Sequence, residues 1–372
     1  MLRRYRQFWI VLAGLLLLTP MALEIVAPTS ETMLSDELRA TAPPPDMPRT
    51  LDAWLALPPA LDAWLRDHFG LRFAMIRAHA VIAHLWLRSG NELVLVGRGG
   101  SLFYRGDNAA LQSAGLLVRE PRIAETVAVL ANMRTALATR GIKFLVAVPP
   151  NTATIYADRL PRWARDQGRP TEYDLMLQAL AARGIQAVDL RPALRAARAE
   201  GEVYLWHNTH WNSRGALAAF NAIVAAELRP SWQLDPAAVL SPPVTIVGGD
   251  LARMLGIEHD VTESVRILIS PRGRIENFSP EPFPTFQATS DRTNGETIMV
   301  IGDSFTGGLF PGMVLAHARR FAWTHHQFCA FDWKWIGQFH PDEVWWMPTE
   351  RLIVCAPGLH PKDMPVVGAA QR

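Results

Sequence analysis

Cysteine is scarce in this sequence, because only Cys329 and Cys355 occur among its 372 residues. Two cysteines are too few to build a disulfide-rich scaffold or a zinc site made of linked cysteine pairs. In an oxidising compartment the two could pair, and the closed loop of about 26 residues would stabilise the fold by roughly 3.5 kcal/mol in the chain-entropy model. Two buried free thiols fit the sequence equally well, so both arrangements stay open.

An excess of charge of either sign is also missing. The chain has 37 basic and 35 acidic residues, which leaves a formal net charge of +2. That balance, without a dense basic stripe, argues against a nucleic-acid-binding protein. Hydrophobic residues make up 49% of the chain and charged residues 19%, which argues against intrinsic disorder and against a protein with several membrane spans. The length allows one large domain or two of ordinary size.

Long apolar runs are absent except near the amino terminus, where three arginines precede residues 8–26. As a helix this segment would be about 30 Å long, enough to cross a bilayer. Its shorter unbroken part would also suit a signal peptide, but prolines surround the cleavage positions. We therefore expect an uncleaved inner-membrane signal anchor over residues 1–27, a proline-rich tether over 28–50 and one periplasmic domain over 51–372.

After residue 93, helical and strand-like patterns alternate along the chain. Before it, a short repeat broken at Pro58-Pro59 predicts two amphipathic helices, the second continuing over residues 66–87. The later patterns predict helices over 122–140, 172–183, 192–198 and 213–228, the last begun by a Ser213 cap, and strands over 93–96, 101–104, 143–148, 186–190, 203–205, 297–301, 321–324 and 343–347. This alternation predicts an α/β fold with a mostly parallel sheet, helices on both faces, and ligands beyond the carboxyl ends of the strands.

Ser304 is the first candidate for chemistry. It follows the apolar strand at residues 297–301 through Gly302-Asp303, and Gly307-Gly308 come directly after it. A serine at the carboxyl end of a strand can serve as a nucleophile, with amide groups of a following helix as oxyanion donors. The same tripeptide also caps many ordinary helices, and that interpretation remains open.

His210 is the candidate base that such a serine requires. Asn208 precedes it by two positions, so its side chain can accept a hydrogen bond from Nδ1–H and leave Nε2 free to take the serine proton. A structural histidine bonded to backbone is the alternative. His207 and His210 could also ligate a metal, but no third ligand stands at a supporting spacing. Asp250 is either a catalytic carboxylate or, more commonly, a loop cap.

Several motifs, taken in order, resemble the periplasmic alginate O-acetyltransferase family of AlgJ/AlgX-like proteins, whose SGNH hydrolase-like domain has its motif blocks in permuted order. The similar segments are residues 67–72, 96–104, 148–151, 155–156, 160–161, 189–192, 248–251, 339–342 and 350–351. Each segment is weak evidence, whereas their joint order is specific. The resemblance implies a three-layer SGNH-hydrolase-like domain following the membrane anchor.

The resemblance also implies the roles of individual residues. It makes Ser304 the nucleophile and His210 the base, and it places Asn208 where the family has aspartate. Trp211 and Tyr156 become candidates for substrate binding, with core packing as the alternative. The implied reaction needs no cofactor or metal: an acetyl group supplied by a multi-span membrane acyltransferase is transferred to an exported polysaccharide. A non-catalytic polysaccharide-binding subunit and an SGNH-type esterase are the alternative functions.

Overall fold

The computed structural model describes residues 2–26, 42–67, 72–165, 168–269, 273–280 and 282–365. The chain divides into two compact units, Met1–Leu87 and Arg88–Arg372. Much of the predicted tether at residues 28–50 lies outside the described residues, as does most of the motif at residues 67–72.

The first unit contains α-helices at Leu2–Val26, Leu51–Asp67 and Arg72–Ala80, followed by a π-helical turn at Val81–Trp86. In the stretches that the structure describes, no helix is long and apolar enough to cross a membrane, so the transmembrane helix expected at residues 8–26 is not supported. The break expected at Pro58-Pro59 is wrong, because both prolines lie inside one helix. Each proline removes an N–H donor and crowds the carbonyl four residues earlier, so these two positions weaken the helix that continues through them.

The second unit carries the sheets. Its α-helices are Ala109–Ser113, Glu120–Ala138, Thr152–Ile155, Glu172–Ala182, Arg191–Arg198, Ser213–Ala226, Pro236–Val239, Asp250–Leu255, Ser304–Gly307, Phe310–Leu315 and Lys334–Phe339. Short 3₁₀ turns occur at Arg98–Gly100, Gly106–Asn108, Ala157–Arg159, Arg162–Ala164, Pro230–Trp232, Gln327–Cys329 and Glu350–Leu352. The strands are β1 (Val94–Val96), β2 (Leu102–Tyr104), β3 (Lys143–Ala147), β4 (Ala187–Val188), β5 (Val244–Val247), β6 (Thr262–Val265), β7 (Arg274–Ser279), β8 (Thr285–Thr289), β9 (Thr297–Gly302), β10 (Arg320–His325) and β11 (Glu343–Met347).

The main sheet has seven strands in the order β4-β3-β11-β9-β10-β8-β7. The strands from β4 to β10 are parallel, whereas β8 and β7 are added antiparallel at one edge. The sheet is therefore mixed: five of its seven strands are parallel, as expected for most of it, and an antiparallel pair is added at one edge. In its parallel centre, the carboxyl ends of β9, β10 and β11 all lie at the same end of the strands, and ligands bind beyond these ends in open α/β sheets.

Helices cover both faces of this sheet. Along β9, Ile298 and Val300 pack into one apolar cluster with the helix Ser213–Ala226, while Met299 and Ile301 pack into a second cluster with the helix Glu120–Ala138. Successive side chains of a strand point to opposite faces, so a continuous apolar strand must be covered on both sides. The expected three-layer α/β architecture is confirmed.

Four strands between residues 229 and 296 have boundaries that the sequence patterns did not predict. β5 pairs with β6, and β7 pairs with β8, in both cases antiparallel. Most side chains of β5, β6 and β7 are exposed or half-buried. Strands without a buried face lack the apolar alternation by which a strand is recognised in sequence.

Cys329 and Cys355 form a disulfide bond, which settles the question left open by the sequence. Both residues are buried in the apolar cluster beneath the helix Glu120–Ala138. The bond joins the chain after β10 to the chain after β11, so it ties together the segments that follow the two strands flanking β9.

Candidate active site

Ser304 lies at the carboxyl end of β9, exposed at the first position of the short helix Ser304–Gly307. Asp303 caps this helix, because its Oδ1 accepts a hydrogen bond from the amide of Phe305 at 3.0 Å. Its Oδ2 accepts from the amide and the hydroxyl of Thr349. The capping role therefore belongs to Asp303, and the Ser304 hydroxyl remains available for other contacts.

Asp303 keeps its negative charge although it is buried. Burial alone would raise the pKa of its carboxyl group, but the positive charge of Arg351 and the hydrogen bonds from Thr349 outweigh that effect and hold the pKa below its ordinary value. An ionised cap binds amide donors more strongly than a neutral one. The hydrogen bonds to the Asp303 carboxylate thus hold the turn that carries Ser304 in place.

His210 reaches Ser304 from a loop 94 residues earlier in the chain, and the distance from its Nε2 to Ser304 Oγ is 2.8 Å. The loop is closed by a hydrogen bond from the Leu205 amide to the His210 carbonyl at 3.1 Å. The strand expected at residues 203–205 is reduced to a single bridge between Tyr204 and Trp211. The structure therefore brings the predicted base and the predicted nucleophile into direct hydrogen-bonding distance.

Asn208 determines which nitrogen of His210 carries the proton. Its Oδ1 accepts the backbone N–H of His210 at 3.0 Å, so this atom is an acceptor. It also lies 2.7 Å from His210 Nδ1, which must then be protonated and donate. In a neutral imidazole the other nitrogen, Nε2, is left to accept the Ser304 hydroxyl proton. The arrangement matches the one expected from the two-residue spacing.

A carboxylate also approaches this histidine. Asp250, at the start of the helix Asp250–Leu255, has its Oδ2 3.6 Å from His210 Nδ1. The same carboxylate accepts hydrogen bonds from the Thr209 amide at 2.7 Å and from its hydroxyl at 2.6 Å. Burial would raise the pKa of Asp250, but the contacts with His210 and Thr209 outweigh it and lower the pKa. Asp250 is thus an anion beside the base, and it also caps the loop.

Gly249 allows the segment before Asp250 to approach the histidine loop. Its φ is 149°, and a Cβ atom at this position would lie 2.1 Å from the His207 carbonyl oxygen. Any larger residue would therefore push the Asp250 helix away from the loop. Gly249 therefore explains why glycine precedes Asp250 in this motif: it lets the Asp250 carboxylate come close to the histidine loop.

Trp211 and Tyr156, the expected substrate-binding residues, are both buried in the core, with 2% and 1% of their surface exposed. Trp211 donates from Nε1 to the carbonyl of Phe305 at 2.9 Å. The Tyr156 hydroxyl accepts from the Val203 amide at 2.9 Å. Trp211 faces inward because the alternation of side chains that directs His210 to the surface directs the next residue to the interior. Both aromatic residues support the site rather than line it.

The cap of the helix after the histidine loop is Asn212, and the Ser213 cap expected from sequence is wrong. Asn212 has extended backbone angles and its side chain accepts from the Gly215 amide, which is the geometry of an N-cap. Ser213 Oγ instead accepts from the Leu268 amide at 3.1 Å. Serine and asparagine both favour this position, so adjacent candidates cannot be separated by sequence alone.

Donors for an oxyanion are limited near Ser304. The amides of Phe305, Thr306 and Gly307 already donate to Asp303, which leaves the amide of Ser304 itself as the donor that the turn can offer. The Arg351 guanidinium lies 5.3 Å from the centre of the Phe305 ring. Arg351 thus places a positive charge beside Phe305, the residue that follows the nucleophile. In the sequence alone, Arg351 stands out only as part of the motif at residues 350–351.

His207, the other histidine of the loop, lies beside a different carboxylate from His210. Its Nδ1 lies 3.6 Å from Glu263 Oε1, and Glu263 Oε2 accepts from the Trp206 amide at 2.9 Å. Within the described ranges, no group of three or more histidine, cysteine, aspartate or glutamate side chains is placed to hold a metal ion. The two histidines of the loop have separate carboxylate neighbours.

A groove of about 520 Å³ opens where the helix Ser304–Gly307 ends. Gly307, Gly308 and Leu309 form one side of it, and Ile275 of β7 and Phe286 of β8 contribute to the other. A molecule bound in this groove would contact the chain from Gly307 onward, three residues after the nucleophile. Its lining is mostly apolar, with the small glycines leaving backbone accessible.

Comparison with known proteins gives similarities at three levels. A family model described as "SGNH hydrolase-like domain, acetyltransferase AlgX" matches residues 94–318, more than half of the chain. The probable alginate O-acetylase AlgJ of Pseudomonas aeruginosa is 26% identical over 176 residues, which cover 47% of this chain and 43% of that protein. AlgJ of Pseudomonas syringae pv. tomato is 30% identical over 107 residues, which cover 29% of this chain and 27% of that protein.

Among solved structures, Bacillus cereus PatB1 with a sulfonyl adduct superposes with a TM-score of 0.52 at 11% identity, covering 72% of this chain and 97% of that one. At this identity the similarity supports the fold alone. The chain spans less than half the length of the curated relatives that it matches.

Proposed function

This chain belongs to the SGNH hydrolase-like family of the acetyltransferase AlgX, and from that premise we propose that it is a serine-dependent O-acetyltransferase acting on a polysaccharide. The observation that carries the proposal is the 2.8 Å contact between His210 Nε2 and Ser304 Oγ, with the opposite nitrogen held by Asn208. A hydroxyl paired with an oriented imidazole is the arrangement that activates serine for acyl transfer.

The reaction proceeds in two steps. Ser304 Oγ attacks the acetyl carbonyl of a donor while His210 Nε2 takes its proton, and the amide of Ser304 stabilises the oxyanion. His210 then returns the proton to the departing donor, which leaves an acetyl ester on Ser304. A sugar hydroxyl next gives its proton to Nε2 and attacks this ester, and Ser304 recovers its proton as it leaves.

The class of acceptor rests on relatives, since AlgJ is named a probable alginate O-acetylase. A hydroxyl of an exported polysaccharide such as alginate is accordingly the acceptor we propose, with a membrane acyltransferase as the acetyl donor. The disulfide between Cys329 and Cys355 supports a location outside the cytoplasm, because such bonds persist in oxidising compartments. The groove that begins at Gly307, three residues after the nucleophile, is the place we propose for the acceptor.

Ser304→Ala tests the proposal. We expect it to lower transfer from an acetyl ester to alginate oligosaccharides by about 10⁴-fold or more, with a melting temperature close to that of the wild type because Ser304 is exposed. Ser264→Ala, at an exposed serine on β6, is the matched control and should retain full activity. Transfer that survives in Ser304→Ala would refute the role of this serine.

A non-catalytic binding subunit is the second candidate, and Asn208 in place of the family's aspartate is the observation that favours it. In that case neither the wild type nor Asn208→Asp would release acetate from an ester, although both would bind the oligosaccharide. Turnover that increases when oligosaccharide is added would favour transfer, both over this alternative and over a hydrolytic esterase, since the acceptor then competes with water for the acyl-enzyme.

A further inference from the structure

The contacts around His210 divide between a neutral amide and a charged carboxylate. Asn208 holds Nδ1–H at 2.7 Å, but an amide oxygen carries no net charge. When His210 takes the serine proton it becomes a cation, and an adjacent anion stabilises that cation. In a serine protease, replacing the carboxylate beside the histidine by an amide lowered turnover by about 10⁴ because it favoured the wrong tautomer, whereas Asn208 Oδ1 here accepts from Nδ1–H and keeps the right one. Asn208 therefore orients the ring without providing the charge.

Thr209 connects the ring to a carboxylate. Its Oγ1 lies 3.1 Å from His210 Nδ1 and 2.6 Å from Asp250 Oδ2. The carboxylate can only accept, so the single hydroxyl proton points to Asp250. A lone pair of the Thr209 oxygen then faces the same Nδ1–H that donates to Asn208 Oδ1, so the imidazole is linked through the hydroxyl to the carboxylate by the longer branch of a shared hydrogen bond. Asp250 thereby polarises the Thr209 hydroxyl toward the ring, in addition to its direct electrostatic effect over 3.6 Å.

The exposure and the geometry of the two side chains allow the charge of Asp250 to stabilise a protonated His210. The side chains of His210 and Asp250 are 29% and 31% exposed, so solvent weakens their attraction but does not abolish it. Asp250 is also held in place, because its Oδ1 accepts the Thr209 amide at 2.7 Å. The close approach that Gly249 allows keeps the whole helix start against the loop.

We propose that Asp250 is a positioning residue of this site, which acts through Thr209 on His210 and replaces the charge that aspartate at position 208 provides in the family. The inference rests on the proposed function, since it assumes that His210 activates Ser304. It assigns orientation of the imidazole to Asn208 and stabilisation of the imidazolium to Asp250. A role carried by one residue elsewhere in the family is here divided between two.

Asp250→Asn tests the proposal in the full-length chain. The substituted amide retains an oxygen for the Thr209 N–H but presents an NH₂ group to the Thr209 hydroxyl, whose oxygen must then accept from that group instead of facing Nδ1–H as an acceptor. We expect kcat for acetyl-ester turnover to fall by about 10- to 100-fold with KM changed by less than about threefold, because the loss appears only when His210 is charged.

Glu263→Gln is the matched control. Glu263 also lies 3.6 Å from a histidine Nδ1 in the same loop and also accepts a loop amide, but its histidine is His207. Its kcat should stay within about threefold of the wild type. A loss equal to that of Asp250→Asn would show that any carboxylate supporting the loop matters, and would overturn the proposal.

Asn208→Asp provides the rescue. In the Asp250→Asn background it should restore kcat to within about threefold of the wild type, and the single variant completes the double-mutant cycle. If Asp250 had a purely structural role, an aspartate at position 208 would not restore kcat. Failure of the rescue, or an Asp250→Asn enzyme with wild-type kcat, would overturn the inference.

Phosphonylation of Ser304 by a fluorophosphonate separates this inference from the proposed function, because it requires no acetyl acceptor. We expect the labelling rates to follow the same order as kcat. Asp250→Asn should be labelled slowly, and the variant that combines it with Asn208→Asp should be labelled at close to the wild-type rate. Normal labelling without acetyl transfer would refute the acetyltransferase and leave Asp250 to be judged by its labelling rates. A wild type that is not labelled at all would overturn both.

Discussion

Glu350→Gln should stabilise the protein at alkaline pH. Glu350 is fully buried at the start of the turn Glu350–Leu352. Its Oε2 accepts from the Asn151 amide at 2.7 Å and from the Thr154 hydroxyl at 2.6 Å. In the described part of the chain its Oε1 has no hydrogen-bond partner. Burial raises the pKa of this carboxyl group from 4.5 to about 7, although both hydrogen bonds oppose the change.

The sign of the effect follows from proton binding. Between pH 4.5 and 7 the folded protein holds a proton on Glu350 that the unfolded chain has released, so stability falls as pH rises. Each pKa unit is worth about 1.4 kcal/mol, and the displacement from 4.5 to about 7 therefore costs about 3.4 kcal/mol once the pH exceeds 7. Glutamine avoids this cost because it does not ionise, and its oxygen can accept both existing hydrogen bonds.

Urea unfolding at pH 5.0 and pH 8.5 checks the magnitude. The difference in unfolding free energy between Glu350→Gln and the wild type should increase by about 2.5 kcal/mol from the lower to the higher pH. Comparing the two pH values removes any pH-independent effect of the substitution. Glu120→Gln, at an exposed carboxylate, should show no such change. A difference for Glu350→Gln that does not vary with pH would refute the reasoning.

Two further predictions concern stability. Replacing both Cys329 and Cys355 by serine should lower the unfolding free energy by about 3.5 kcal/mol, because the bond closes a loop with a separation of 26 residues; if dithiothreitol leaves the urea midpoint of the wild type unchanged, that bond does not contribute. Asn212→Ala removes the cap that accepts from the Gly215 amide and should cost about 1 kcal/mol, measured by the same unfolding experiment, with Asn212→Asp as the variant expected to retain most of the cap.

The strands at the centre of the sheet could be predicted from sequence because burial shapes their composition. β9 and β11 are buried at every position, and the predicted boundaries agree with the structure to within one residue. β7, whose first four residues are exposed, carries no such pattern. It is held by pairing with β8, and backbone pairing leaves little trace in the types of side chain that a strand contains.

Contacts within the site were predictable in proportion to how local they are. Asn208 and His210 are two residues apart, and an extended loop is enough to bring their side chains together, as the 2.7 Å contact shows. The meeting of His210 and Ser304 required the α/β topology as well, since it places both at the same edge of the sheet. Asp250 lies 41 residues after Thr209. Its contact with the histidine loop depends on how closely Gly249 packs against that loop, which no local pattern reveals.

Trp211 and Tyr156 show why an aromatic residue beside a catalytic candidate is a poor guide to substrate binding. Trp211 follows the base directly and donates to the carbonyl of Phe305, which follows the nucleophile directly. The chains that carry His210 and Ser304 are therefore joined on the inner side by a buried hydrogen bond, and loss of such a bond leaves an unsatisfied group in the core. The hydroxyl and the imidazole are held together by core packing, so their separation does not depend on a bound substrate.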